Sequence, residues 1–131
     1  MVRVYLDTAP LIYLVENVTP YNSTLITRLS IPDTIQVCSE LTRLECRVKP
    51  IRDKEVALLA AFDSYFANII TTIVPLSRQV VDQATELRAH YGFKTPDAIH
   101  LAAAIIEGCD LFLTNDHRLD KCKEITIETV T

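Results

Sequence analysis

Val2-Arg3-Val4-Tyr5-Leu6-Asp7-Thr8-Ala9-Pro10-Leu11-Ile12-Tyr13-Leu14-Val15 changes its period halfway along. The first five residues make a strand-sized apolar run that stops at Asp7. Pro10 then suits the first turn of a helix, where a missing N–H is no loss. Leu11, Ile12, Leu14 and Val15 give that helix an apolar face. The opening therefore reads as a strand feeding directly into a helix.

The same alternation recurs downstream. A second helix is expected from about Pro20 to Ser30, with Leu25, Ile26 and Leu29 inward, and Pro32-Asp33 marks a turn. Ile35 to Cys38 reads as a strand. Ser39 caps a following helix that carries Leu41, Leu44, Cys46 and Val48 and ends at Pro50. Asp53 to Phe66 has Leu58, Phe62, Tyr65 and Phe66 at helical spacing, and Ile69 to Val74 is rich in β-formers. Ser77 caps a helix with Val80, Ala84, Leu87 and Tyr91 on one face, closed by Gly92. Thr95-Pro96-Asp97 offers cap, proline and acid in the preferred order for a helix start. The body of that helix, Ala98 to Ile106, is apolar on nearly all sides, which predicts a deeply sandwiched position before the stop at Gly108. Leu111 to Thr114 and Ile125 to Val130 supply the last strands. Strands alternating with helices predict an α/β fold, a parallel sheet in a three-layer α/β/α sandwich. With no repeat, linker or low-complexity tract, residues 1–131 read as one domain.

Composition narrows the chemistry. The chain has two glycines, Gly92 and Gly108, so it lacks the clustered glycines of phosphate loops and dinucleotide-binding turns. No run of about 20 apolar residues is present to span a membrane. The N-terminus lacks the apolar core and cleavage site of a signal peptide. Cys38, Cys46, Cys109 and Cys122 form no Cys-x-x-Cys pair and sit in or beside apolar runs, which predicts free thiols in a reducing, cytoplasmic setting. Net charge is −4, from 17 acids against 13 Lys and Arg. A chain that binds nucleic acid by bulk electrostatics should be basic, so the placement of the acids matters.

Four acids fall where an α/β sheet builds its sites, at the carboxyl ends of strands. Asp7 follows the first strand. Asp116 follows Leu111–Thr114 after one residue. Asp97 opens the buried helix before that strand, and Glu45 lies on the helix after the second strand. Convergent carboxylates repel one another unless a cation sits among them, and Mg²⁺ or Mn²⁺ takes such oxygen ligands. The chemistry that follows is metal-assisted phosphodiester hydrolysis. Each acid has a plainer reading as well. Asp7 can cap the next helix, and Asp97 can complement a helix dipole for about 0.3–1 kcal/mol. Asp116 can be a turn residue, and Glu45 a solvated one. The conjunction is what carries the signal, with Thr8, Thr42, Thr114 and Asn115 as neighbours.

Tyr5-Leu6-Asp7-Thr8, Thr42-Arg43-Leu44-Glu45, Asp97-Ala98-Ile99-His100-Leu101-Ala102-Ala103-Ala104 and Leu113-Thr114-Asn115-Asp116 together resemble the PIN-domain family. Within it they resemble the VapC-type ribonuclease toxins of prokaryotic toxin–antitoxin pairs. The resemblance covers essentially the whole chain and implies a five-stranded parallel sheet. It implies a Mg²⁺- or Mn²⁺-dependent endoribonuclease whose catalytic acidic quartet maps to Asp7, Glu45, Asp97 and Asp116, with Asp7, Asp97 and Asp116 as the close metal ligands and Glu45 either a further ligand or the group that orients the attacking water. Water would attack phosphorus in line and leave a 5′-phosphate and a 3′-hydroxyl. Thr8, Thr114 and Asn115 would support the carboxylates or touch phosphate. The resemblance further implies a homodimer and inhibition by a small antitoxin protein. A non-toxin RNA-processing nuclease and a catalytically silent binding module share the same pattern. A response-regulator receiver does not, because it needs adjacent acids after the first strand and a lysine after the last.

The bases fall into two groups. Arg43, Arg47, Lys49, Arg52 and Lys54 crowd the stretch beside Glu45, and Arg118, Lys121 and Lys123 follow Asp116. Arg43, Arg47, Lys49 and Arg118 are the expected RNA-backbone contacts, against a plainer reading as helix ion pairs. Asp110 precedes its strand and reads as a loop acid. His100, three residues after Asp97, reads first as a satisfied helix histidine and second as a phosphate or proton partner. His90 and His117 read as surface residues, and Tyr13 as core or dimer contact.

Overall fold

Val4, Tyr5 and Leu6 are wholly buried, and that fixes the place of their strand. A strand covered on both faces must be central, as parallel sheets require. A computed structural model describes residues 1–131. The elements are β1 (Val2–Leu6), α1 (Thr8–Val15), α2 (Tyr21–Leu29), β2 (Thr34–Ser39), α3 (Glu40–Arg52), α4 (Val56–Asn68), β3 (Thr72–Val74), α5 (Arg78–Tyr91), α6 (Thr95–Ile106), β4 (Leu111–Thr114), a 3-10 turn (His117–Lys121) and β5 (Ile127–Thr129). The five strands form one sheet in the order β3-β2-β1-β4-β5, and every pairing is parallel.

Alternation along β1 and β4 divides the core in two. Tyr5 and Phe112 are register partners, stack at 5.2 Å between ring centroids, and face α5 and α6. Val4, Leu6, Leu111 and Leu113 face the opposite layer, where Leu11, Leu25, Cys46, Phe62 and Phe66 cover them. α6 packs Ala98, Leu101, Ala102, Ala103 and Ala104 without exposed surface, so its apolar girth places it deep against the sheet. Truncating a residue such as Leu113 to Ala costs about 2–5 kcal/mol in cores of this density.

The strand order also locates the site. The chain runs outward from β1 to β2 and β3, then returns to place β4 on the other side of β1. β1 and β4 therefore flank the switch point, and ligands of open α/β sheets bind outside the carboxyl ends of such strands. Asp7 and Asp116 follow those two strands.

Several boundaries differ from the sequence expectation. Pro50 does not end α3. The helix runs to Arg52 with Pro50 buried inside it, because a proline one turn from the end removes only one ladder bond while its ring gains packing. The next helix begins at Val56, not Asp53, since Lys54 adopts φ 55° and breaks the path. Ile26 is exposed, and only Leu25 of α2 is fully buried. β3 and β5 are confined to three residues each, where their neighbours offer ladder partners. Lys94, not Thr95, occupies the cap position of α6, without a side-chain cap; Thr95 and Pro96 already lie in the first turn. Gly92 closes α5 at φ 75°, as its lack of Cβ permits. No helix is long and apolar enough to cross a membrane.

Candidate active site

The site grows from the end of β1. Asp7 takes extended backbone geometry and caps α1, and its Oδ1 accepts a hydrogen bond from Thr8 N at 2.9 Å. Its Oδ2 accepts from Thr114 Oγ1 at 2.8 Å. The capping reading and the site reading thus describe one and the same carboxylate. Thr114 is fully buried at the end of β4, and its Oγ1 also accepts from Asp116 N at 3.1 Å. One hydroxyl therefore ties the two acids across the switch point.

Asp97 faces this pair from the first turn of α6. Burial, then the charges of Asp7 and Asp116, hold its carboxyl above the usual 3.8, and no hydrogen bond offsets them. Asp116 is held differently. Arg118 Nε donates to its Oδ1 at 2.9 Å and Nη2 donates to its Oδ2 at 2.6 Å, a fork that keeps Asp116 below the ordinary range against some desolvation. The Arg118 side chain is itself 69% exposed.

Glu45 reaches the group through neighbours. Its Oε1 accepts from Thr8 Oγ1 at 2.6 Å and pairs with His100 Nε2 at 2.6 Å. Desolvation pushes Glu45 up, but the His100 and Thr8 hydrogen bonds and the His100 charge outweigh it and hold the carboxyl low. Only Oε1 makes these bonds, which leaves Oε2 available for a ligand or water. His100 is 2% exposed, and its Nδ1 shares a 2.8 Å hydrogen bond with the Tyr5 hydroxyl. Tyr5 in turn donates to Ser39 Oγ, the cap of α3, at 2.8 Å. The helix that carries Glu45 is thus pinned to β1 and α6 by one buried chain of polar groups.

His100 belongs with these acids although its sequence reads first as a satisfied helix histidine. It is a satisfied buried histidine, as expected first, yet its partners are Glu45 at 2.6 Å and Asp7 at 3.7 Å. The signal was present in its spacing, since i and i+3 share a helix face with Asp97.

Other expectations separate here. Asn115 touches no carboxylate: its Nδ2 donates to Tyr13 Oη at 3.0 Å, and Tyr13 stacks on Tyr21. Arg43 pairs with Glu40 of its own helix, Arg47 with Asp63 of α4 at 2.8 Å, and Lys49 lies 3.9 Å from Glu16. Their charge is largely matched within the fold, because α3 meets α4 and α1 along acidic positions. Asp110 accepts from Arg3 N at the opposite, amino-terminal end of the central strands, as a loop acid should. His90 and His117 are exposed.

The donor types suit a hard divalent cation: Asp7, Asp97 and Asp116 offer carboxylate oxygens, and burial together with the other two charges disfavours the ionised form of Asp97. As the side chains stand, no three acidic, histidine or cysteine groups are close enough together to hold a metal ion, and Arg118 takes both oxygens of Asp116, so that fork must open before Asp116 can serve a cation.

Comparison with known proteins agrees with this fold. The PIN domain family profile matches residues 4–125, and the chain belongs to that family. A chain of VapBC2 from Rickettsia felis, solved with a promoter DNA fragment, is 15% identical with a TM-score of 0.79, covering 97% of this chain and 98% of that one. A chain of a toxin–antitoxin complex from Klebsiella pneumoniae is 20% identical, TM-score 0.74, with 98% of each chain covered. VapC20 of Mycobacterium tuberculosis, a sarcin-ricin-loop-cleaving toxin, is 13% identical, TM-score 0.71, covering 94% of this chain and 98% of that one. At these identities the likeness is one of fold. Comparison with curated proteins returns no match.

Proposed function

We propose that the protein is a Mg²⁺- or Mn²⁺-dependent endoribonuclease and the toxin of a pair whose second member is a small antitoxin protein. The observation that carries the reading is the placement of Asp7, Asp97 and Asp116 around the β1–β4 switch point, where burial and then the charges of Asp7 and Asp116 hold Asp97 above its ordinary range. Family membership supports nuclease chemistry, and the toxins of similar fold support the toxin assignment.

Asp7, Asp97 and Asp116 would hold the cation, with Glu45 at the margin. When bound, the cation supplies Lewis acidity and offsets charge developing on the phosphoryl oxygens. Glu45 Oε2 orients the attacking water and accepts its proton. Thr8 and His100 hold that carboxylate in place. Thr114 fixes Asp7. As water adds to phosphorus, the bond to the 3′-oxygen breaks and that oxygen takes a proton from solvent water, which leaves a 5′-phosphate and a 3′-hydroxyl.

The test is incubation of the purified protein with a mixed set of RNAs and either metal, beside Asp7→Asn. Cleavage by the wild type alone, with 5′-phosphate ends, is expected. No cleavage by either protein would sink the enzyme reading and favour a binding module. Growth arrest on expression, relieved by a co-expressed small neighbour, separates a toxin from an RNA-processing enzyme. The family's homodimer is part of the same proposal, and light scattering measures it.

A further inference from the structure

The cations expected to meet RNA on α3 are matched by acids, which raises the question of where unmatched positive charge lies. A cleft of about 140 Å³ opens beside Asp97, between the end of α5 and the 3-10 turn. Lys94, Arg118 and Lys121 line it, and Asp97 is its one acid. Lys94 is exposed and makes no ion pair within 4 Å, yet its charge reaches Asp116. Lys121 Nζ donates only to the Tyr91 carbonyl at 2.9 Å and stands 5.0 Å over the Phe93 ring. Those contacts orient the ammonium group without neutralising it. Phe93 itself is buried, so the cleft has a fixed floor.

We infer that this cleft binds the phosphodiester backbone of the RNA strand, with Lys94 and Lys121 as its phosphate contacts; the inference rests on the nuclease reading above. Three physical points carry it. Free cations attract phosphate, whereas paired ones must first give up a partner. The cleft shares Asp97 with the carboxylate group, so a strand held there passes the site. A chain of net charge −4 gains little from bulk attraction and needs a local, concave positive surface, where the field is focused. The track thus runs from the α5–α6 connection to the 3-10 turn, away from Arg43, Arg47 and Lys49.

The experiment measures binding apart from cleavage. Fluorescence anisotropy of a labelled single-stranded RNA is followed with Asp7→Asn as the parent, over a series of salt concentrations. Lys94→Gln and Lys121→Gln, each added to that parent, are expected to weaken binding about three- to tenfold at low salt. Each lowers the slope of log K against log salt by about 0.7, the single-strand value for one phosphate contact. Arg52→Gln is the control: Arg52 pairs with Asp53 at the far end of α3, about 20 Å along that helix from its start beside the site. Equal loss in all three variants, or none in the lysine variants while the parent binds RNA, overturns the cleft assignment alone. A parent and a wild type that bind no RNA at any salt overturn the nuclease reading and this inference with it. Circular dichroism of each variant confirms the fold, since both lysines are exposed.

Discussion

His100 Nε2 and Glu45 Oε1 stand 2.6 Å apart, joining α6 to α3 across 55 residues of chain. This contact is buried on the histidine side and open on the glutamate side, where Oε2 has no bond. It makes His100 a positioning residue for Glu45, one that acts through the carboxylate.

His100→Leu removes one of the two 2.6 Å restraints on Glu45 and leaves the Tyr5 hydroxyl without its ring partner. A fall of about 10- to 100-fold in single-turnover cleavage is expected, the usual effect of losing a supporting partner. His100→Gln should recover part of it, because an amide nitrogen can again donate to Glu45. A leucine variant as active as the wild type would show that Thr8 alone orients Glu45.

Tyr5→Phe keeps the stacking on Phe112 and deletes one hydroxyl. Ser39 and His100 each lose a partner in a site with no water access. The expected loss is about 1–3 kcal/mol of stability by urea denaturation. A neutral substitution would mean that Ser39 and Thr42 re-pair with His100 unaided.

Asp97 gives a pH signature. Burial and the Asp7 and Asp116 charges raise its folded pKa above 3.8, so between the two values the folded chain holds more protons than the unfolded one. Stability therefore falls as pH rises through that window. Measured in chelator, the stability of wild type relative to Asp97→Asn should decline from about pH 4 upward. Mg²⁺ or Mn²⁺ should reverse the decline. A flat difference across this range would mean that the three carboxylates do not share a field.

The four cysteines should resist alkylation in the native state. All are free; Cys38, Cys46 and Cys122 are buried and Cys109 is half-buried. Burial pushes the thiols of Cys38 and Cys109 up to about 12 and that of Cys122 to about 11, far from the thiolate form that reacts at neutral pH. Mass spectrometry after brief iodoacetamide treatment at pH 7.5 should find little label without denaturant. Rapid single labelling would point to Cys109, the most open of the four.

Much of this molecule was readable along the chain. The strand-to-helix switch at Asp7, the Ser39 and Ser77 caps, the Gly92 stop and the all-round apolar α6 are local signals, governed by periodicity and by residues a few positions apart. The boundaries that slipped lie where packing overrode propensity, as at Pro50 inside α3. The identity of the four acids was likewise a matter of place in the sequence, because each sits at a strand end or on the helix that follows or precedes one.

The sequence by itself determined the order of elements, the α/β class and the positions of the acids, since these follow from patterns within one or two turns of chain. Only the tertiary structure decided the partners. It set Glu45 on His100 and Thr8, tied Asp7 to Asp116 through Thr114, and matched Arg47 with Asp63 while leaving Lys94 free. Those outcomes depend on strands brought side by side from distant parts of the chain, and no local pattern encodes which side chains then meet. The net charge of −4 illustrates both. The four candidate site acids equal the whole excess over the bases, a fact of composition; which bases remain free to face a phosphate is a fact of the fold.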